Sequence, residues 1–191
     1  MIFNLLALLS TTSILTTSLS LELLTDCHCS KNKTLHQHFC DDEFIVTVIL
    51  LESILEEQNL MKHNSFVLIK HKENDLIQAH DYLSLYTNTE NGTCDLQLTK
   101  FHIYILGGNF KDGKHWVSLC NLVLEGYDLP CSKEDYSYCG CEIIYDKCTT
   151  DKCPSQEDSC TYIPLEGSNG WGNACLRDNT GHCNWKHCDL V

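Results

Sequence analysis

The chain has 191 residues, of which 14 are cysteine, and its formal net charge is −13. Fourteen cysteines in so short a chain indicate an oxidising compartment and a disulfide framework. The negative charge argues against a polyanionic partner, such as nucleic acid or an anionic membrane surface. The length is sufficient for one domain of ordinary size or for two small ones.

Residues 1–26 have the pattern of a secretory signal peptide. An apolar core at 2–9 is followed by a Ser/Thr-rich tract and by a second apolar patch at 21–24. The segment is too interrupted for a membrane span, which needs about 20 mostly apolar residues. No later stretch is long and apolar enough to span a bilayer, so we expect a secreted, extracellular protein without a membrane partner.

Zinc binding is the alternative use of the cysteines. Cys139-Gly140-Cys141 and the pair Cys148 and Cys153 look like ligand pairs. Neither has the knuckle spacing of a structural zinc site, repeated twice with matching partners. The even number of cysteines and the secretion signal favour disulfides.

Five short segments predict β-strands, because they are rich in β-branched and aromatic residues or alternate between apolar and polar positions. They comprise residues 44–51, 65–70, 82–86, 101–105 and 115–124. Five strands with little helix predict a mainly β fold, either a small barrel or a sandwich.

The residues between the strands predict the connections. Asp112-Gly113 predicts a tight hairpin turn, because both residues tolerate a positive φ, and Gly107-Gly108 predicts a bulge or bend. The segment 56–59 predicts a loop, and 132–138 is compatible with a short helix. The acidic run 41–43 predicts a solvated stretch before the first strand.

The composition changes after residue 140. Seven of the cysteines lie within residues 141–191, where apolar runs are few. Such a segment has a thin core and depends on its disulfides. We therefore predict two closely packed domains, 27–140 and 141–191, after the signal peptide 1–26.

The start of the predicted mature chain carries the strongest functional signal. Cys27 and Cys29, separated by a single residue, cannot easily bridge each other. Each needs a distant partner, and two such bridges would hold the first residues rigidly on the folded body. If processing ends at Cys27, its free α-amine and carbonyl become a fixed pair of donors that can chelate a metal.

The cysteines and their neighbours carry a resemblance. The motifs are Cys27-x-Cys29, Phe39-Cys40, Cys94, Asp112-Gly113-Lys114 leading into Ser118-Leu-Cys120-Asn-Leu-Val, Cys139-x-Cys141, Cys148-x4-Cys153, Cys160, and Ala174-Cys-Leu-Arg177 running on to Gly181-His-Cys183-Asn-Trp185. Twelve cysteines in this order, over nearly all of the chain after residue 26, resemble the tissue inhibitors of metalloproteinases.

The resemblance implies a five-stranded netrin-like domain of the OB-fold type, followed by a small disulfide-rich C-terminal domain. It also implies the pairs Cys27–Cys94, Cys29–Cys120, Cys40–Cys139, Cys141–Cys183, Cys148–Cys153 and Cys160–Cys175. Cys131 and Cys188 have no counterpart in the family pattern, and we predict that they bridge each other. The alternatives are that one or both are free, or that they pair with another chain.

The resemblance further implies an inhibitor and not an enzyme. In the family, the amine and carbonyl of the N-terminal cysteine ligate the catalytic zinc of the target protease, which makes Cys27 the expected zinc ligand. The inhibitory ridge is then formed by two segments, which consist of Cys27, His28, Cys29 and Ser30 on one side and Asn91, Gly92, Thr93 and Cys94 on the other. The protein needs no cofactor of its own, because the target supplies the zinc.

The expected partners are secreted or cell-surface zinc metalloproteinases, with the extracellular matrix as a further partner. Two departures from the family put the range of targets in question. His28 stands where the family has a small hydroxyl residue, and Ser30-Lys31 stands where it often has a proline. Nothing in the chain resembles a nucleophile elbow or an HExxH helix.

Two alternatives stay open at this stage, together with the effect of glycosylation. A netrin-like binding module without inhibitory activity is one, because signal cleavage after Ser20 would leave Cys27 without a free amine. A metal site of the chain's own, built from His28, His36 and His38, is another, although the pattern favours surface or loop histidines. The sequons at Asn32 and Asn91 are expected to carry glycans, which either hinder access of the ridge to a protease or simply mark exposed loops.

Overall fold

The computed structural model describes residues 29, 33–72, 75–89, 96–126, 128–145, 158–162 and 173–188. Within these residues the chain is mainly β, as the sequence predicts. The predicted signal peptide lies outside them. No helix of the described ranges is long and apolar enough to cross a membrane.

The described elements run in a simple order. In the first part of the chain they are α1 Leu35–Asp41, β1 Phe44–Glu57, β2 Leu60–Lys70, β3 Tyr82–Asn88, β4 Ile103–Lys111, β5 Lys114–Trp116 and β6 Val123–Glu125. Towards the C-terminus they are α2 Lys133–Tyr136, β7 Glu142–Tyr145, β8 Ser159–Tyr162, β9 Asn173–Arg177 and β10 Cys183–His187.

The first five strands close into a ring. Their order is β1-β2-β3-β5-β4, and β4 pairs again with β1. All neighbours in the ring are antiparallel except β3 and β5, which are parallel. The short strand β6 pairs with β4 beside β5. Closure protects the strand edges that an open sheet would expose.

Strand β1 is buried on both faces at its start, as its apolar run predicts. Phe44, Val46 and Val48 belong to the core inside the ring, together with residues of every other strand of the ring except β5. Ile45 points the other way and belongs to a second core cluster outside the ring. A β-branched apolar run suits this double burial, because successive side chains on a strand point to opposite faces.

Several predicted strand boundaries are wrong. Strand β2 begins at Leu60 and not at residue 65, β3 ends at Asn88 and not at residue 86, and β4 spans Ile103–Lys111 and not 101–105. Residues 56 and 57 belong to β1, and only Gln58 and Asn59 form the turn to β2. The segment 115–124 is not one strand, because it breaks after Trp116 and resumes at Val123. The break accommodates Val117, which turns into the core, and a turn that carries Cys120.

The glycine pair in β4 does not form the bulge that the sequence predicts. Gly107 and Gly108 lie in unbroken register with Ile45 and Phe44. A Cβ atom on Gly108 would lie 2.2 Å from the carbonyl oxygen of Trp116. The glycines are therefore required for close approach of neighbouring groups. The Asp112-Gly113 hairpin turn is confirmed, with φ angles of 53° and 76°.

The C-terminal part is organised around disulfides. Strands β7 and β8 form a parallel pair, and β9 and β10 an antiparallel pair. Cys141–Cys183 and Cys160–Cys175 make a small core against which Ile143 and Trp185 pack. This part also contacts the first, because Ala174 shares a buried cluster with Leu35 and Phe39. The boundary between residues 139 and 141 stays a prediction.

Candidate functional site

Of the predicted ridge residues, the structure describes Cys29. Cys27, His28 and Ser30 lie outside the described residues, as do the second ridge segment 91–94 and the sequon residue Asn32. Cys29 is half-buried and forms a disulfide with Cys120, with a Cα–Cα distance of 5.2 Å. The residue two positions after Cys27 is therefore attached covalently to the turn between β5 and β6.

Side chains on either side of Cys120 fix this turn. The hydroxyl of Ser118 accepts the main-chain N–H of Cys120 at 3.3 Å and donates to the side-chain oxygen of Asn121 at 2.9 Å. The main-chain N–H of Asn121 also donates to the carbonyl of Ser118 at 3.1 Å. A serine hydroxyl that bonds the backbone two residues on is a typical turn former.

Asp42 holds the same turn from the other side. Its carboxylate accepts the side-chain N–H of Asn121 and the main-chain N–H of Leu122, both at 3.0 Å. Nδ1 of His38 lies 3.2 Å from the same carboxylate. Asp42 is only 1% exposed, and a buried carboxylate is stable only when its oxygens are bonded in this way.

The solvated acidic run predicted at 41–43 is therefore wrong for Asp42, which is buried. Glu43 is exposed, and its carboxylate accepts the main-chain N–H of Phe110 at 2.6 Å. Asp41 is exposed as well and forms an ion pair with Lys33. Only Asp42 connects the start of β1 with the turn of Cys120, and the sequence gives no sign of this role.

Gly107 leaves the space that the Asp42 carboxylate occupies. A Cβ atom on Gly107 would lie 2.2 Å from Oδ2 of Asp42 and 3.0 Å from Cβ of Leu122. The main-chain N–H of Gly107 donates to the carbonyl of Leu122 at 2.8 Å. Strand β4 thus contacts both ends of the Asp42–Leu122 bond.

Helix α1 connects the ridge with the rest of the fold and is absent from the predicted elements. It begins with a capping box, in which Thr34 and Gln37 each bond the main-chain N–H of the other. Leu35 and Phe39 are buried in the second core cluster, and Cys40 forms a disulfide with Cys139. The pattern Thr-x-x-Gln is a recognisable start signal that could have located this helix.

The predicted alternative of a histidine metal site includes two described residues, and each has another partner. Nδ1 of His36 accepts the main-chain N–H of Cys175 at 2.9 Å, and its Nε2 lies 2.7 Å from the carbonyl of Tyr138. Burial lowers the pKa of His36. His38 bonds Asp42. His36 is thus a structural link between α1 and β9.

Two groups of potential metal ligands occur among the described residues. One contains His36 with Cys40 and Cys139, and the other contains Asp135 with Cys131 and Cys188. In both groups the cysteines form a disulfide with each other. A disulfide sulfur carries no thiolate, and the thiolate is the metal-binding form of cysteine. Neither group offers a metal site in the oxidised protein.

Five disulfides are present among the described residues, and each of them is one of the predicted pairs. They are Cys29–Cys120, Cys40–Cys139, Cys131–Cys188, Cys141–Cys183 and Cys160–Cys175. The predicted pairs Cys27–Cys94 and Cys148–Cys153 lie outside these residues.

No protein-family model matches this chain, and neither does any curated protein.

Proposed function

We propose that this protein is a secreted inhibitor of zinc metalloproteinases. It acts through the α-amine and carbonyl of Cys27, which chelate the catalytic zinc of the target. The observation that carries the proposal is the Cys29–Cys120 disulfide. It attaches the chain two residues after Cys27 to a turn that Asp42 and Ser118 hold in place.

Rigidity matters because chelation has to compete with water. A catalytic zinc keeps one coordination position for a water molecule. A donor pair that is already ordered displaces this water at a small entropic cost, whereas a flexible terminus would have to be ordered on binding. The amine must be neutral to bind zinc. An α-amine has a pKa near 8, so a useful fraction is neutral at physiological pH.

The ring of strands supports a netrin-like domain of the OB-fold type. The OB-fold is a five-stranded, partly open Greek-key barrel, in which the spatial order of the strands departs from their order in the chain. The order β1-β2-β3-β5-β4, in which β4 pairs again with β1, is compatible with this arrangement. The five disulfides support the extracellular location, since such bonds persist in oxidising compartments.

Processing decides between inhibition and the alternative of a netrin-like binding module. Cleavage before Cys27 exposes the α-amine, but it places Asp26 and Leu24 at positions where signal peptidase prefers small residues. Cleavage after Ser20 satisfies that preference and leaves six residues in front of Cys27. The amine of Cys27 is then part of a peptide bond and cannot chelate.

The test combines two measurements on protein secreted from eukaryotic cells. N-terminal sequencing identifies the first residue, and titration against a panel of secreted and membrane-anchored zinc metalloproteinases measures inhibition. We expect the chain to begin at Cys27 and to inhibit at least one protease stoichiometrically. A chain that begins at Cys27, is oxidised at all of its cysteines and inhibits none of the panel would contradict the proposal.

A further inference from the structure

A cleft opens on the surface of the ring, where the β1–β2 turn meets the ends of β3 and β5. Its volume is about 380 Å³, which lies within the range of small-molecule sites. Its lining includes Glu57, Gln58, Asn59, Asn88, Lys114 and Trp116. None of these residues belongs to the ridge, bonds the Asp42 carboxylate or forms a disulfide.

Trp116 is the aromatic side chain that lines this cleft, and it is fixed in orientation by Tyr86 behind it and by a hydrogen bond. Trp116 is the neighbour of Tyr86 across the parallel β3–β5 pair, and the two ring centroids are 6.1 Å apart. The indole N–H of Trp116 donates to the carbonyl of Lys111 at 3.1 Å, which holds the ring in place. Both aromatic side chains are half-buried, so each ring is anchored in the sheet and still partly accessible.

The rim of the cleft is polar and carries both signs of charge. Glu57 and Gln58 are exposed in the turn region. The ammonium of Lys114 lies 5.0 Å from the centre of the Tyr86 ring, where it faces the aromatic electrons. A carboxylate accepts hydrogen bonds, an ammonium donates them, and an amide does both. The rim can therefore bond hydroxyl groups, each of which is both donor and acceptor.

We propose that this cleft binds a neutral oligosaccharide. A sugar ring has a face of C–H groups, which suits the electron-rich face of an indole, and a periphery of hydroxyls, which suits this rim. A polyanionic sugar fits less well, because the rim is electrically balanced and the chain has a net charge of −13.

The position of the cleft supports the same ligand class. In OB-folds, oligosaccharides bind on the face of strands 2 and 3 and on the loops between strands 1 and 2 and strands 4 and 5. The cleft contains the β1–β2 turn and the end of β3, and the β4–β5 turn at Asp112 and Gly113 directly precedes Lys114. This correspondence depends on the proposed OB-fold, whereas the chemistry of the lining residues does not. The proposal does not require protease inhibition.

The experiment uses the full secreted chain with its tryptophans labelled with ¹⁵N. Three indole signals are expected from the three tryptophans, and Trp116→Phe identifies the one that belongs to the cleft. Chitohexaose and mannohexaose are the neutral probes, and a heparin hexasaccharide is the anionic probe of equal length. We expect at least one neutral probe to shift the Trp116 signal saturably and more strongly than the heparin probe does.

Variants then assign the binding to the cleft. Trp116→Ala is expected to weaken binding by about tenfold or more, in line with the loss of a stacking platform. Tyr82→Ala is the matched control, because it removes a 75% exposed aromatic residue at the opposite end of β3, and it should bind like the wild type. If Trp116→Ala does not fold, the double variant Glu57→Ala, Gln58→Ala in the exposed turn replaces it, with an expected loss of about threefold or more.

Three outcomes would overturn the proposal. The first is no shift of the Trp116 signal with either neutral probe at millimolar concentration. The second is stronger binding of the heparin probe. The third is equal weakening of neutral-sugar binding by the cleft variant and by Tyr82→Ala. Since none of these measurements involves a protease, they leave the proposed inhibitory function untouched.

Discussion

The carboxylate of Asp42 accepts the main-chain N–H of Leu122, 80 positions further along the chain, at a distance of 3.0 Å. This bond joins the start of β1 to the turn that carries Cys120. Through the disulfide of Cys120 it also fixes Cys29. The ridge is therefore supported by a buried polar contact as well as by a covalent one.

Removal of the Asp42 carboxylate should destabilise the protein strongly. Asp42→Ala leaves the buried main-chain N–H of Leu122 and the half-buried amide of Asn121 without this acceptor, and we expect a loss of about 2–4 kcal/mol in the free energy of unfolding. Urea denaturation with the disulfides intact measures this loss. Asp41→Ala is the matched control, because an exposed ion pair contributes at most about 1 kcal/mol. Equal losses in the two variants would contradict the assigned role of Asp42.

Acid should destabilise the fold through buried histidines. His63 is bonded on both ring nitrogens by Ser53 and Thr87, and burial lowers its pKa to about 4. His71 bonds Thr47, and burial, followed by the charge of Lys133, lowers the pKa of His71 to about 4. In the unfolded chain both titrate near 6.5.

The sign of the effect follows from these pKa values. At pH 4.5 the unfolded chain has taken up both protons and the folded chain only a small part of them, so stability falls as the pH drops from about 6.5 towards 4. Each of the two histidines should cost about 2–3 kcal/mol at pH 4.5 relative to pH 7.5. His63→Gln keeps a polar partner for the hydroxyls of Ser53 and Thr87. It should remove the contribution of one histidine, about half of the loss of stability that the two histidines cause between pH 7.5 and pH 4.5. An unchanged dependence in this variant would show that His63 does not titrate as described.

The disulfide Cys131–Cys188 should contribute less than its sequence separation of 57 suggests. The disulfide Cys141–Cys183 lies inside the same loop and already connects its two arms. The additional loop that Cys131–Cys188 closes is therefore short, and we expect the double variant Cys131→Ser, Cys188→Ser to lose about 3 kcal/mol. Thermal or urea unfolding measures the loss. Detection of alkylated Cys131 in the unreduced wild type would contradict the pairing itself.

Glycans next to the ridge should weaken inhibition. Asn32 lies three residues after Cys29, and Asn91 lies three residues before Cys94. A glycan on either segment is bulky and hydrated and would collide with the walls of a protease cleft. The double variant Asn32→Gln, Asn91→Gln should therefore inhibit more strongly than the wild type at equal stability. Equal inhibition by wild-type protein that mass spectrometry shows to be glycosylated at both sites would rule this out.

Sequence reasoning succeeded where the signal is local or repeated along the chain. The apolar run at the start of β1 and the Asp-Gly turn before Lys114 express backbone preferences of the residues themselves. The prediction of one strand over 115–124 failed because of side-chain hydrogen bonds within the segment. The hydroxyl of Ser118 bonds the main-chain N–H of Cys120 and the side chain of Asn121, and these bonds form a turn that interrupts an otherwise strand-like pattern.

The supporting residues of the site could not be predicted from local patterns. Asp42 stands in a run of three acidic residues that has the composition of a solvated surface, and its partners Asn121 and Leu122 lie about 80 positions away. The requirement for Gly107 arises from that same distant carboxylate, not from a bend in its own strand. Only the fold brings these residues together, and short motifs carry no information on such contacts.

The most direct test of the central claim compares two chains that differ by one residue. One begins at Cys27, and the other carries a single alanine in front of Cys27, which converts the α-amine into an amide and leaves the disulfides and the ring unchanged. Both are titrated against a zinc metalloproteinase that the first chain inhibits. We expect the alanine-extended chain to lose inhibition by about 100-fold or more, because its amide nitrogen cannot ligate zinc. Equal inhibition by the two chains would contradict chelation by Cys27.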